Sequence, residues 1–239
     1  MSDYVLHALD PCFARVRRAD EHLVDLKRLF AEVQVRQANA IEIEFDPNPP
    51  YGIVGAKQPP ETFIGTNFPI RIGEICYNLR SALDYLIFEL ARLDSGVEQS
   101  GTQFPIMDAK QDFEGRGKGI FLKGVNPTHV ACVERLQPYM GCNWTRSLRD
   151  TSNPDKHRHF SKMRGDITAT IHSSLDPKNN FSRIIGHERD APHSTLGTVK
   201  VKVHLATSIA FADGTPVIET LDEIKSEIAN TLRYFKPEF

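Results

Sequence analysis

The sequence IGEICYNLRSALDYLIFEL, residues 72–90, predicts the central helix of this 239-residue chain. Its apolar residues recur at steps of three and four, so they form one stripe on a helix with 3.6 residues per turn. The pattern predicts a helix over residues 69–93 that packs against other helices. Arg80 and Asp84 lie one turn apart at the edge of the stripe, where charges are costly to bury unless they are paired or functional.

Other segments carry either helical or strand periodicity. Residues 11–37 show a narrow heptad-like seam, which requires a helical partner within the chain or across a dimer. Helical patterns also cover 126–163, which starts at Asn126-Pro127, and 221–235. Residues 41–56 and 166–219 contain stretches that alternate with period two, as half-buried strands do. We therefore predict an α+β fold in which a helical core, the long N-terminal helix plus a helix bundle, is joined to an antiparallel β-sheet within one domain, 1–239.

Glycine and proline residues add three local predictions about loops, helix starts and turns. Four glycines in the basic stretch of 96–125 match no phosphate-binding pattern and predict a flexible loop. Pro154 predicts a helix start, which separates a helix over 144–150 from another over 154–163. Asp213-Gly214, between two short apolar runs, predicts a hairpin turn.

Composition narrows the class of protein. Hydrophobic residues make up 40% and charged residues 25% of the chain, which is ordinary for a globular protein. No window is apolar enough for a membrane span, and no secretory signal is present, so we predict a cytoplasmic protein without membrane contact. The cysteines lack CxxC spacing and predict free thiols rather than a zinc site.

A second charged cluster lies in the most basic part of the chain. Residues 110–165 carry 11 Lys and Arg against 5 Asp and Glu. This excess can attract phosphate, or it can be a solvated face. The cluster itself is Asn153-Pro154-Asp155-Lys156-His157-Arg158-His159.

The two clusters admit a structural and a functional interpretation. In the structural one they meet across a helix pair, where Arg80 pairs with Asp84 or Asp155, Arg158 pairs with Asp84, and His159 joins the network. In the functional one they form a composite site in which Arg clamps an anion and His157 moves a proton.

The functional interpretation assigns a role to each polar residue. The candidate catalytic residues are His157, Arg80, Asp84 and Arg158, and the candidate anion-binding residues are Lys156, Lys162 and Asn78. No recognised metal-ligand spacing occurs, so no metal or cofactor is predicted. Whether the histidine-containing loop 187–193 orders around a metal stays open.

Four motifs resemble an uncharacterised bacterial family in their sequence and order. They are the helix Ile72–Leu86 with its NLRSALD core, Gln103-Phe104-Pro105-Ile106, Leu136-Gln137-Pro138-Tyr139 and Asp155-Lys156-His157-Arg158. The resemblance covers about residues 70–160 and brings no assigned activity.

The chain is also distantly similar to HEPN helical proteins, many of which are ribonucleases. Their mark is an Arg followed after four to six residues by His on a helix. In this chain the corresponding positions 85–87 hold Tyr, Leu and Ile instead of His. A catalytic base would therefore have to come from His157.

The sequence therefore leaves two functions open. The first is a non-catalytic binding or interaction protein that self-associates as a homodimer through the 11–37 helix. The second is a HEPN-like, metal-independent ribonuclease that uses Arg80, Asp84, His157 and Arg158 on RNA phosphodiesters. The expected partners are a second copy of the chain and RNA or another anionic ligand. Exposure of Arg80 in an open basic cleft would favour the enzyme.

Overall fold

The computed structural model describes the backbone of residues 7–40, 42–46, 52–57, 67–157, 163–173, 187–191, 199–211 and 213–239, and the side chains of 7–36, 67–152, 209–211 and 213–239. The chain divides into two compact units. Unit 1 comprises Met1–Leu26, Thr66–Lys162 and Thr215–Phe239, and unit 2 comprises Lys27–Gly65 and Met163–Gly214. Whether both belong to the single domain 1–239 stays a prediction.

The helices account for most of the described residues. The α-helices are α1 Asp10–Ala40, α2 Asn67–Ser95, α3 Lys110–Asp112, α4 Pro127–Arg135, α5 Asn143–His157 and α6 Val217–Phe235. A π-helix, Phe113–Phe121, continues α3, and short 3-10 helices cover Pro138–Met140 and Lys236–Glu238.

The predicted α+β fold class, with an antiparallel β-sheet joined to the helical core, is wrong. Where side chains are described, the protein is 77% helical, with six helices, one short strand and no sheet. The physical reason is that these helices bury their apolar stripes against one another, so unit 1 needs no sheet as a second layer.

The core of unit 1 forms where α2, α5 and α6 pack together. The apolar stripe of α2 is buried as its periodicity predicts, including Ile72, Leu79 and Leu86, each 0% exposed. Helix α6 contributes a matching stripe that contains Leu221 and Ile228. Because α2 is central, side chains at the edge of its stripe reach neighbouring segments while they stay close to solvent.

The first half of α1 packs onto this core within the same chain. Its seam residues Val16, Ala19, Leu23 and Leu26 are buried in unit 1. The predicted helical partner for this part of the seam is therefore intramolecular.

The glycine-rich stretch is helical, so the predicted loop is wrong over 110–121. In the π-helix, side chains five residues apart are neighbours. The Arg116 guanidinium accordingly lies 4.9 Å from the ring centre of Phe121, and Lys118 Nζ lies 5.5 Å from that of Phe113. A Cβ on Gly117 would approach the Phe113 ring to 3.2 Å, so the absent side chain lets this ring pack closely.

Two predicted boundaries are also wrong. Helix α5 runs without interruption from Asn143 to His157, so Pro154 lies inside a helix rather than at a helix start. Helix α6 begins at Val217, so no hairpin follows Asp213-Gly214 and residues 217–219 do not belong to a β-rich part. The apolar spacing that continues from Val217 into α6 overrides the local turn signal.

Unit 2 contains the second part of α1 and the strands. Strands β1 (Glu42–Asp46) and β2 (Gly52–Lys57) pair antiparallel, with a register irregularity between Glu44 and Phe45. In a separate set, β5 (Val199–Phe211) lies between β3 (Met163–Ser173) and β4 (His187–Ala191) and is antiparallel to both.

Candidate functional site

Arg80 and Asp84 form an ion pair on one face of α2. Arg80 Nε lies 3.4 Å from Asp84 Oδ1, at i,i+4 spacing. The Arg80 side chain is 15% exposed and that of Asp84 is 32% exposed. The Arg80 charge is thus largely removed from water, whereas the Asp84 carboxylate keeps partial contact with solvent.

Both members of this pair bind the backbone of Phe104. The Phe104 N–H donates to Asp84 Oδ1 at 2.9 Å, and Arg80 Nη2 donates to the Phe104 carbonyl oxygen. An arginine and an aspartate together therefore satisfy both backbone groups of one residue in a segment without regular secondary structure. We call Arg80 and Asp84 the backbone clamp.

Gln137 holds the same segment from the other side. Its Nε2 donates to the Pro105 carbonyl at 2.9 Å and to the Val133 carbonyl at 3.0 Å, and its Oε1 accepts from the Met107 N–H at 3.0 Å. Gln137 is 0% exposed. Three of the four sequence motifs therefore meet around residues 104–107, where their polar side chains hold the backbone in place.

Asn78, a predicted anion-binding residue, is 6% exposed and engaged within the protein. Its Nδ2 donates to the Glu74 carbonyl at 2.8 Å, and its Oδ1 accepts from Arg15 Nη1 at 3.2 Å. Asn78 therefore positions Arg15 of α1 instead of facing a ligand itself.

Arg15 lies between two exposed tyrosines of α2. Its Nη2 donates to the Tyr85 hydroxyl at 3.1 Å, and its guanidinium carbon lies 5.7 Å and 5.4 Å from the ring centres of Tyr77 and Tyr85. The hydrogen bond with Tyr85 raises the pKa of Arg15, so this cation stays charged. Tyr77 is 56% exposed and Tyr85 39% exposed.

The second charged cluster is only partly described. Asp155, Lys156 and His157 lie in the last turn of α5, whose backbone alone is described there, and Arg158, His159 and Lys162 lie outside the described residues. The predicted pairs of Arg80 with Asp155 and of Asp84 with Arg158 therefore stay predictions. What the structure does bring together is Asn78, Arg80 and Asp84 on a single helix.

Sequence reasoning missed a second polar cluster, at the N-terminus of α4. Asn126 caps this helix by accepting from the His129 N–H at 2.9 Å. The Asp94 carboxylate accepts from the Asn126 N–H at 2.8 Å and lies 2.8 Å from His129 Nδ1. The Asn126-Pro127 helix start predicts the cap, but no signal in sequence points to Asp94, which is 32 residues away.

This second cluster ties the end of α2 to the start of α4. The side chains of Asp94 and His129 are 5% and 9% exposed, so an unpaired partner in this place would be costly. Within the described residues, the polar contacts of Asp94 are with Asn126 and His129, which is the pattern of a structural link between helices.

The described residues provide neither a metal site nor a membrane-spanning helix. Among the described residues, no group of three or more His, Cys, Asp or Glu side chains is placed to hold a metal ion. His187 lies in β4, where only the backbone is described, and His193 lies outside the described residues. No described helix combines the length and the apolar composition that crossing a bilayer requires.

Comparison with known proteins identified no match, so a functional argument has to rest on the geometry of this chain. No protein-family model, no curated protein and no solved structure matches this chain.

Proposed function

We propose that this protein is a non-catalytic binding protein that works as a homodimer through an exposed face of α1 and α2. The observation that carries the proposal is the position of Arg15, a charged residue held between Tyr77 and Tyr85 on the surface of unit 1. Tyrosine and arginine are enriched in the energetically important parts of protein interfaces. We call Arg15, Ile70, Glu74, Tyr77 and Tyr85 the tyrosine surface.

The composition of the tyrosine surface suits a second copy of the same chain. Ile70 and Tyr77 are two helical turns apart on α2 and are 44% and 56% exposed. Arg15 supplies a positive charge and Glu74 a negative one, so the surface can pair with itself about a two-fold axis. An RNA partner would instead require a surface dominated by Lys and Arg.

The backbone clamp argues against catalysis. A phosphodiester-cleaving Arg80 would need to direct its N–H groups at substrate, yet Nη2 is bonded to Phe104 and Nε faces Asp84. The HEPN-type histidine is also absent at positions 85–87. A ribonuclease in this chain would depend on His157.

The family resemblance and the cellular location are proposals on separate grounds. We propose that the order of the motifs marks membership of the bacterial family, because three of the motifs supply residues to one contact around Phe104. We propose a cytoplasmic location because all four cysteines are free thiols, which are typical of a reducing compartment.

Sedimentation velocity over a range of concentrations tests the homodimer. We expect wild type to sediment as a dimer and the Tyr77→Ser/Tyr85→Ser variant to dissociate with at least a tenfold higher Kd, because both anchors are removed. Tyr234→Ser is the matched control, since Tyr234 is 63% exposed and lies on α6. A wild-type monomer at high concentration, or a double variant that dimerises as well as wild type, would overturn the proposal.

An RNA-cleavage assay tests the absence of catalysis. Purified wild type and His157→Ala are incubated with single-stranded RNA in the presence of a chelator. We expect equal inactivity of the two proteins. Cleavage by wild type that His157→Ala abolishes would establish the ribonuclease instead.

A further inference from the structure

A cavity between α4 and α6 has the size of a ligand site. It encloses about 400 Å³ and is lined by Cys132, Arg135, Leu136, Thr231, Tyr234 and Phe235, among others. Sites for small molecules measure about 300–1,000 Å³ and combine a mostly apolar wall with a few polar groups. None of the lining residues belongs to the tyrosine surface or to the backbone clamp.

The cavity wall is apolar at its base and polar at its rim. Phe235 is 1% exposed and forms part of the base, whereas Tyr234 is 63% exposed and stands at the rim. The Tyr234 hydroxyl lies 3.5 Å from Cys132 Sγ. This hydrogen bond raises the pKa of Tyr234, so its hydroxyl stays protonated at the rim.

Among the described residues that line this wall, Arg135 is the one cation. It lies one turn after Cys132 on α4 and is exposed. Within the described part of the chain its guanidinium has neither a hydrogen-bond acceptor nor an ion-pair partner, in contrast to Arg15, Arg80, Arg92 and Arg149. A guanidinium beside an apolar cavity is suited to a carboxylate, which it can bind through two parallel hydrogen bonds.

We infer that the cavity between α4 and α6 binds a small apolar carboxylate, with the hydrocarbon part against Leu136 and Phe235 and the carboxylate on Arg135. An aromatic hydrocarbon part suits this wall, because the rings of Tyr234 and Phe235 both line the cavity and aromatic rings pack favourably on one another. The ligand would cover the Cys132 thiol.

Calorimetric titration with a matched pair of compounds tests this inference. The probes are 3-phenylpropanoate and its neutral amide, which have nearly the same shape. We expect wild type to bind the carboxylate about tenfold more tightly than the amide, because only the carboxylate forms a charge-assisted contact. In Arg135→Gln we expect this preference to disappear, while the affinity for the amide stays within about twofold of wild type.

A control and a second measurement locate the site. Arg18→Gln removes an arginine whose ion-pair partner among the described residues is Glu21, at the surface of α1, and this variant should bind like wild type. Saturating 3-phenylpropanoate should slow the alkylation of Cys132 by iodoacetamide at least fivefold in wild type. No saturable binding at millimolar concentration, a preference that survives Arg135→Gln, or unchanged alkylation of Cys132 would each overturn the inference.

Discussion

The backbone clamp makes a quantitative prediction for Asp84→Ala. The substitution removes the carboxylate that accepts from the Phe104 N–H at 2.9 Å and that pairs with Arg80. A hydrogen bond to a charged group contributes about 1.5–3 kcal/mol. The ion pair adds at most about 1 kcal/mol, because Asp84 is 32% exposed and solvent screens the charge.

We therefore expect Asp84→Ala to lower the free energy of unfolding by about 1.5–4 kcal/mol, which corresponds to about 3–16 °C in Tm for a chain of this size. Asp84→Asn keeps an acceptor oxygen and should lose only about 1 kcal/mol. Glu21→Ala is the control, since Glu21 is 64% exposed and its ion-pair partner in the described part of the chain is the exposed Arg18. Its free energy of unfolding should change by less than about 0.5 kcal/mol.

Urea denaturation followed by circular dichroism measures the free energy, and amide hydrogen exchange localises the loss. The Phe104 amide should exchange faster in Asp84→Ala than in wild type. The reasoning is refuted if Asp84→Ala unfolds within 0.5 kcal/mol of wild type, on the scale of an ordinary surface substitution, and the Phe104 amide keeps its protection.

Two further predictions concern buried groups of unit 1. Gln137→Ala should lower the free energy of unfolding in urea by about 3 kcal/mol, because it leaves the buried Pro105 carbonyl and the partly buried Met107 N–H without the partners they have in wild type. A loss below about 1 kcal/mol would contradict the hydrogen bonds described. Burial raises the pKa of the Cys12 thiol from 9.0 to about 12. As the pH rises, this thiol therefore ionises at a lower pH in the unfolded state than in the folded state. The free energy of unfolding should fall between about pH 9 and 12, by up to about 1.4 kcal/mol per pH unit. Urea titrations at several pH values should give a shallower decline for Cys12→Ala, and an identical decline would refute this assignment.

Much of the helical part could be predicted from sequence, because the information is local and periodic. The stripes that contain Leu79 in α2 and Ile228 in α6 are buried as their spacing predicts. Asn126 caps α4 with Pro127 at the first position, since both residue types act on the neighbouring backbone. These signals need no knowledge of distant segments.

The errors arose where local signals compete with packing. Pro154 is a helix starter in isolation, yet α5 passes through it. From the sequence, Gly117 was expected to make its segment flexible. In the π-helix, however, its missing side chain makes room for the Phe113 ring. The period-two alternation correctly predicts strands locally. It carries no information on which elements form the core, and the core of unit 1 is formed by helices alone.

The candidate site was only half accessible to sequence reasoning. The i,i+4 spacing predicts that Arg80 and Asp84 face the same side. Their shared partner is the backbone of Phe104. Because nearly every residue has the same backbone N–H and carbonyl, the sequence does not reveal which of these groups the two side chains bind. The same limit hid the contact between Asp94 and the Asn126 N–H.

The backbone clamp also determines which sequence changes the segment at 104–107 can tolerate. The clamp and Gln137 bind peptide groups, so they would hold many different residues, provided that an N–H is present at positions 104 and 107. Proline is therefore excluded at those two positions but fits at 105, where only the carbonyl is bound. Selection on this contact would act on Arg80, Asp84 and Gln137, whereas the residues they hold could drift wherever packing allows.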